Sequence, residues 1–316
     1  MADSQPKPRY TPGVVKEEDI VRIPDMKGNV KEVMEVEGMV VPCDVIRSGH
    51  VPDMRENVKK IRDMKCRDDD IFLCAYMRSG THWVWEITNM LTTGKLDYLT
   101  RPKESAMMEF HYPEEFDEMP SRRILNTHFP LRLLPTEVKE KKLKVIFVQR
   151  NPKDVTVSSY HFLQKGKLMP FKGTFEEFFM LFTTLGLMVS WFDYTLEAEK
   201  AIKDKELDIH LIYYEELKKN PVATIKRLSE FLGTDCDDAY ITKVAEMCSF
   251  KGMKKANEEV KDIEKFLFEK DIMKGHYRKG EIGDWKNMMT VAQSEQFDEI
   301  FADKMKDCSF KFDFLK

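Results

Sequence analysis

The chain has 316 residues, enough for one large α/β domain with a sizeable core. Hydrophobic residues make up 42% and charged residues 34%, the balance of a globular chain and not of a disordered one. The formal net charge of −4 argues against a global basic field for nucleic acid, while local basic clusters remain able to hold a small anion.

The first residues, MADSQPKPRY, lack the apolar core of a signal peptide, and no run approaches the roughly 18 apolar residues of a spanning helix. Neither export nor membrane insertion is therefore expected. Cys43, Cys66, Cys74, Cys236, Cys248 and Cys308 are scattered, with no C-x-x-C pair. That usage fits a reduced, cytoplasmic setting and gives no zinc or other metal site. Residues 1–28 are polar and punctuated by proline, which reads as a loose, flexible tail, and 29–316 carry no repeat or long linker, which reads as a single domain.

In chain order, the first buried strand is expected at Ile71–Met77, followed by Trp83, Ile87, Met90 and Leu91 at helical spacing. The turn between them reads Met77-Arg78-Ser79-Gly80-Thr81-His82-Trp83. Gly80 permits close backbone approach, the first helical amides form a nest for anionic oxygens, and Arg78 adds charge. Ser79 and Thr81 add hydroxyls, and Trp83 offers a face for a base. Taken alone the turn fits an ordinary βα connection equally well, and it is not a Walker A loop, because no lysine follows Gly80.

Ala106–Pro120 is aromatic and without clear period. After the short apolar pair Ile124-Leu125 comes Asn126-Thr127-His128-Phe129-Pro130, a loop whose histidine can take a proton from a hydroxyl near neutrality or simply bond within the loop.

A second strand is expected at Leu143–Gln149. Arg150 stands at its end, then Asn151 as a cap, Pro152 at the first helical position and Asp154 in the first turn. Ser158 lies two turns into that helix and can converge with Arg150 on one oxyanion; an arginine there can also pair with a carboxylate. A third strand, Asp208–Tyr214, leads to a helix that starts at Asn220-Pro221 and stops at Gly233. Capping boxes fall at Thr174/Glu177 and Thr290/Gln293. Near the C-terminus, Tyr277-Arg278-Lys279-Gly280 puts two cations beside a glycine. Strands alternating with helices imply a central, mostly parallel sheet flanked by helices, with ligands beyond the carboxyl ends of its strands.

These segments together resemble the cytosolic sulfotransferase family, from about residue 35 to the C-terminus. Ala75–Trp83 (AYMRSGTHW) is similar to the family's P-loop-like phosphosulfate-binding loop T-Y-P-K-S-G-T-T-W, and Asn126–Pro130 to K-[ST]-H-[LF]-P. Arg150–Ser158 (RNPKDVTVS) matches the family's 3′-phosphate element, and Tyr214-Glu215-Glu216 its Y-E-[DE]. Ser249–Lys254 (SFKGMK) matches S-F-x-x-M-K, and Arg278–Lys286 (RKGEIGDWK) matches R-K-G-x-x-G-D-W-K.

The resemblance implies transfer of the sulfuryl group of 3′-phosphoadenosine-5′-phosphosulfate (PAPS) to a hydroxyl or amine of a small acceptor. It implies that Arg78–Trp83 hold the phosphosulfate and that Arg150, Ser158, Arg278, Lys279 and Gly280 hold the 3′-phosphate. Trp83, Tyr214 and Cys248, Ser249, Phe250 and Met253 would surround the adenine. His128 would be the general base, with Arg78 stabilising the leaving group, in an in-line transfer that needs no metal. Phe110, Asn126, Phe129 and Phe162 would meet a phenolic, steroidal or other alcohol acceptor, with lids at Met169–Gly173 and Met253–Met273. A homodimer through Lys286, Thr290, Val291 and Glu295 is also implied.

Three departures stand out: Arg78 and Asn126 replace lysines, and His82 replaces a threonine. Arg78 keeps the charge but is a poor proton donor, and Asn126 weakens the positive field at the acceptor. A nucleotide kinase of the P-loop class and a non-catalytic PAPS-binding protein are the alternative readings.

Overall fold

The computed structural model describes residues 8–24, 30–98, 103–165, 171–259 and 278–312. An antiparallel sheet comes first: β1 (Val21–Pro24) pairs with β2 (Val30–Val36), and β2 with β3 (Met39–Pro42). The stretch read as a loose tail therefore contributes a strand. It is tied down further along too, because the Tyr10 hydroxyl donates to Glu115 Oε1 at 2.7 Å. Its polar composition reflects an exposed edge. Helices α1 (Cys43–Arg47) and α2 (Met54–Arg62) follow, and the Asp53 carboxylate caps α2 by accepting from the amides of Arg55 and Glu56.

The main sheet is built from β4 (Ile71–Ala75), β5 (Ile124–Thr127), β6 (Lys144–Gln149) and β7 (Asp208–Tyr213), in the order β5-β4-β6-β7. All three pairings are parallel. Each of the three expected strands is present, trimmed by one or two residues. Strand β5 was not expected: it is four residues long and half polar, so neither a run nor an alternation marks it.

Between and after the strands lie α3 (Thr81–Thr93), α4 (Thr136–Glu140), α5 (Pro152–Leu163), α6 (Phe175–Thr184), α7 (Trp191–Lys203), α8 (Tyr214–Lys219), α9 (Pro221–Leu232), α10 (Asp238–Met247), α11 (Phe250–Glu259) and α12 (Val291–Lys304). Alternate residues of the strands feed two cores, as the period of two requires. Phe72, Cys74, Val145 and Phe147 join Val155, Phe178 and Trp191 on one face. Ile71, Leu73, Ile146 and Val148 join Ile87, Leu228 and Ile241 on the other.

Local chemistry sets the helix ends. Asn151 accepts from the amides of Lys153 and Asp154 ahead of Pro152. Both capping boxes form, at Thr174/Glu177 and Thr290/Gln293. Gly233 closes α9 in the left-handed conformation. Asn220 departs from expectation: its side chain makes no cap bond, and Pro221 alone marks the start of α9.

A buried ion pair joins the starts of β4 and β5. Arg123, 1% exposed, donates Nε to Asp70 Oδ1 at 2.8 Å and Nη2 to Asp70 Oδ2 at 2.6 Å. The Arg123 carbonyl accepts the Ile71 amide at 2.9 Å. Removing one partner strands a buried charge. Arg123→Ala is expected to lower the unfolding free energy by about 3–5 kcal/mol, read as a lower urea midpoint at unchanged slope.

Candidate active site

Parallel pairing brings the carboxyl ends of β5, β4 and β6 to one edge. Cys74 pairs with Thr127, and Ala75 with Val148, so the segments beginning at Tyr76, His128 and Arg150 emerge side by side. Gln149 pairs with Tyr213, which sets Tyr214 next in the row.

The loop after β4 turns on two left-handed residues, Arg78 at φ 69° and Gly80 at φ 105°. A side chain at Gly80 would be strained and would stand 2.8 Å from Tyr214 Cδ2, so the glycine is demanded twice. The turn delivers the chain into α3, whose first amides and positive end face the cleft. Arg78 donates Nε to Ser158 Oγ at 3.3 Å and lies 4.6 Å above the Phe162 ring. Arg150 donates Nη1 to the Arg78 carbonyl at 2.9 Å and lies 4.2 Å above the Tyr214 ring. Trp83 meets Tyr214 edge-on at 5.5 Å.

The C-terminal cations reach the same place through two carboxylates that the sequence reading did not assign to the site. Asp154 accepts from the amides of Gly283 at 2.8 Å and Trp285 at 3.0 Å, which pins the loop onto the first turn of α5. Asp284 then holds Arg278 and, at 2.5 Å, Lys279. Burial works to raise the Asp284 carboxyl, but hydrogen bonds from Lys279, Asn287 and Arg278 outweigh it and hold the group well below the usual carboxylate range. Gly280, at φ 66°, lies under the Phe250 ring, where a Cβ would come within 2.2 Å of the ring.

His128 Nδ1 stands 2.7 Å from the Ala75 carbonyl, and a carbonyl can only accept, so Nδ1 donates the proton of this bond and Nε2 keeps its lone pair. Burial, then the charge of Lys103, pushes its pKa down to about 3, against the bond to Ala75. Glu109 accepts from the His128 amide and from Thr127 Oγ1 at 2.9 Å, and burial pushes its carboxyl up. His82 Nε2 stands 3.2 Å from Glu104 Oε1, with its pKa lowered by burial.

One cleft gathers most of the expected residues. Arg78, Gly80, Thr81, His82, Trp83, Arg150, Ser158, Tyr214, Arg278, Lys279 and Gly280 line it, together with His128, Phe110, Phe162, Cys248, Phe250 and Met253. Four do not line it. Ser79 is buried in the loop, and the Ser249 hydroxyl receives the Gly252 amide at 3.3 Å in the first turn of α11. Asn126 is buried, donating Nδ2 to the Lys103 carbonyl at 2.7 Å. Phe129 is enclosed in the core, its amide bonded to Thr127 Oγ1 at 2.9 Å. Residues 166–170 and 260–277, and with them much of both expected lids, lie outside the described residues. The wall also includes Val41, Pro42, Val45, Val51 and Met54 from the first sheet and its helices, with Met77, Met107 and Met188. Met77 belongs to the Ala75–Trp83 motif, and no motif announces the others.

The cleft fits a dianionic nucleotide. The Nε of Arg150, a residue of the cleft lining that is 9% exposed, is buried with no hydrogen-bond partner among the described residues, which suits an anion arriving from outside.

Comparison with known proteins decides the family. The family described as "Sulfotransferase domain" matches residues 68–309. The chain belongs to the sulfotransferase family. Human Sulfotransferase 1C2 is 32% identical over 304 residues, covering 90% of this chain and 96% of that protein. Mouse Sulfotransferase 1A1 is 38% identical over 263 residues, covering 77% and 87% respectively. Among solved structures, mouse sulfotransferase SULT7A1 complexed with PAP superposes with a TM-score of 0.69 at 30% identity, covering 87% of this chain and 95% of that one. The protein is a PAPS-dependent sulfotransferase acting on small acceptors. That membership decides against a nucleotide kinase, and PAPS is the sulfuryl donor.

Asp154→Ala frees the Gly283–Trp285 loop that presents Arg278. Loss of two charge-assisted bonds is expected to weaken binding of 3′,5′-adenosine bisphosphate (PAP) at least about tenfold by isothermal titration, with a smaller change for 5′-AMP.

Proposed function

We propose that this sulfotransferase sulfates the hydroxyl, or amine, of a small apolar acceptor, with His128 as general base and Arg78 stabilising the leaving group. The observation that carries the reading is the bond from His128 Nδ1 to the Ala75 carbonyl, which orients a neutral imidazole beside the anion-binding turn.

In this reading the acceptor hydroxyl gives its proton to His128 Nε2 as its oxygen forms a bond to sulfur. The opposite S–O bond, to the 5′-phosphate, breaks in line with it. Its electron pair stays on the departing phosphate oxygen. Arg78 and the first amides of α3 face that developing charge, and Arg78 has no proton to lend at neutral pH. Arg150, Ser158, Arg278, Lys279 and Gly280 receive the 3′-phosphate. Asp284 already neutralises part of this group and keeps Arg278 and Lys279 extended toward the cleft. Trp83, Tyr214, Cys248, Phe250 and Met253 form the adenine region. Catalysis is then mainly positioning and charge stabilisation.

Phe110, Phe162, Met77, Met107 and Met188 give the acceptor region an apolar lining, suited to a phenol, a sterol or another planar alcohol. A cytoplasmic setting is part of the reading, supported by six free cysteines. So is a homodimer through Lys286, Thr290, Val291 and Glu295, supported by the 75% exposure of Val291.

His128→Ala is expected to retain PAP affinity and to lose turnover by about 10²–10⁴-fold in a labelled-PAPS assay over phenols and sterols. Turnover near the wild-type level would remove His128 from the base role. Arg150→Ala is expected to cost about 2 kcal/mol or more of PAP binding while 5′-AMP affinity changes less. Equal wild-type affinity for PAP and 5′-AMP would rule out a dedicated 3′ site.

A further inference from the structure

Lys103 opens a 3₁₀ turn, Lys103–Ala106, on the cleft wall. Its side chain is 6% exposed, which is rare for a lysine and costly without compensation. Both of its ends are fixed. Its carbonyl accepts from Asn126 Nδ2 at 2.7 Å, and its ammonium stands 3.2 Å from Glu104 Oε1 and 3.8 Å from Met107 Sδ. The same Glu104 oxygen meets His82 Nε2 at 3.2 Å. A lysine, a carboxylate and an imidazole thus form a chain across the wall between the anion-binding turn and His128.

We propose that Lys103 supplies the positive charge at the transferring sulfuryl group, from a position outside the loop motifs. Asn126 stands where the resemblance places a lysine, and it serves here to hold the backbone of the lysine that does the work. An ammonium has three donors, and a carboxylate shared with His82 together with a thioether leaves it capacity for a sulfuryl oxygen. Burial, then the charge of Lys103, lowers the pKa of His128, and the same charge adds to the burial that lowers His82 and opposes the burial that raises Glu109, so Lys103 acts on all three cleft groups. Groups facing His128 are Lys103 and Glu104 from this turn, His82 from α3, and Glu109 through the His128 amide.

The proposal rests on sulfuryl transfer in this cleft and not on His128 as the base. Lys103→Met keeps an unbranched side chain, one heavy atom shorter, and removes the charge. Its kcat is expected to fall about 10²-fold, with the PAP dissociation constant within about twofold of wild type. The His128 titration followed by NMR is expected to move to higher pH, because the cation that opposed protonation is gone. Lys103→Arg is expected to recover at least a tenth of the turnover. Wild-type kcat in Lys103→Met, loss of PAP affinity in step with kcat, or an unmoved His128 titration would each overturn the proposal. Normal turnover in His128→Ala alongside a crippled Lys103→Met would sink the base assignment and leave the lysine standing.

Discussion

Ala75 ends β4, and its carbonyl receives the Nδ1 proton of His128 at 2.7 Å. That bond ties the end of β4 to the first residue after its neighbour β5. It also decides the tautomer. With Nδ1 committed, the only lone pair of the ring is on Nε2, and burial with the charge of Lys103 keeps that lone pair unprotonated down to about pH 3. The pairing of β4 with β5 and β6 then sets the rest: the Arg78–Trp83 turn, the imidazole and Arg150 are next-door neighbours because the strands that end in them are.

The charge pattern of the cleft explains how a chain of net charge −4 can attract a polyanion. Arg78, Arg150, Arg278, Lys279 and Lys103 converge from separate parts of the chain. Each is held from the side by groups that do not cancel it fully: the Ser158 hydroxyl and Phe162 ring for Arg78, a carbonyl and the Tyr214 ring for Arg150. Asp284 serves two cations at once, and Glu104 is shared between a lysine and an imidazole. Short-range carboxylates fix the geometry of these cations from the side.

What could be read in the sequence follows from range. Strands β4, β6 and β7, the caps at Asn151, Thr174 and Thr290, and the Arg78 and Arg150 turns are local patterns, each contained in a dozen residues or fewer. Strand β5 is too short and too polar to announce itself, and it becomes a strand only because β4 offers an open edge. Phe129 and Asn126 were expected at the acceptor from the family resemblance, but one side chain fills the core and the other holds the Lys103 backbone. Adjacency in sequence does not say which way a loop residue faces. The apolar wall from Val41 to Met54 is contributed by a different sheet, and no spacing rule connects it to the motifs.

Arg78 shows why the departures from the family pattern belong together. A lysine in that turn would be a flexible point charge, whereas a guanidinium is planar, and here it is fixed by the Ser158 hydroxyl and the Phe162 ring. Rigidity is gained and a proton donor is lost. The leaving group, a phosphate within a bisphosphate, is stable as an anion and needs charge more than a proton. His82, the second departure, reaches Glu104, which in turn meets Lys103, and the third, Asn126, holds the Lys103 carbonyl. The residues at 82 and 126 therefore both lead to Lys103, the one buried ammonium among the described residues that the motifs do not contain. A positive charge lost from a motif position is physically neutral for transfer if another stands at the same sulfuryl oxygens, because the field at those atoms, and not the place in the chain it comes from, lowers the barrier.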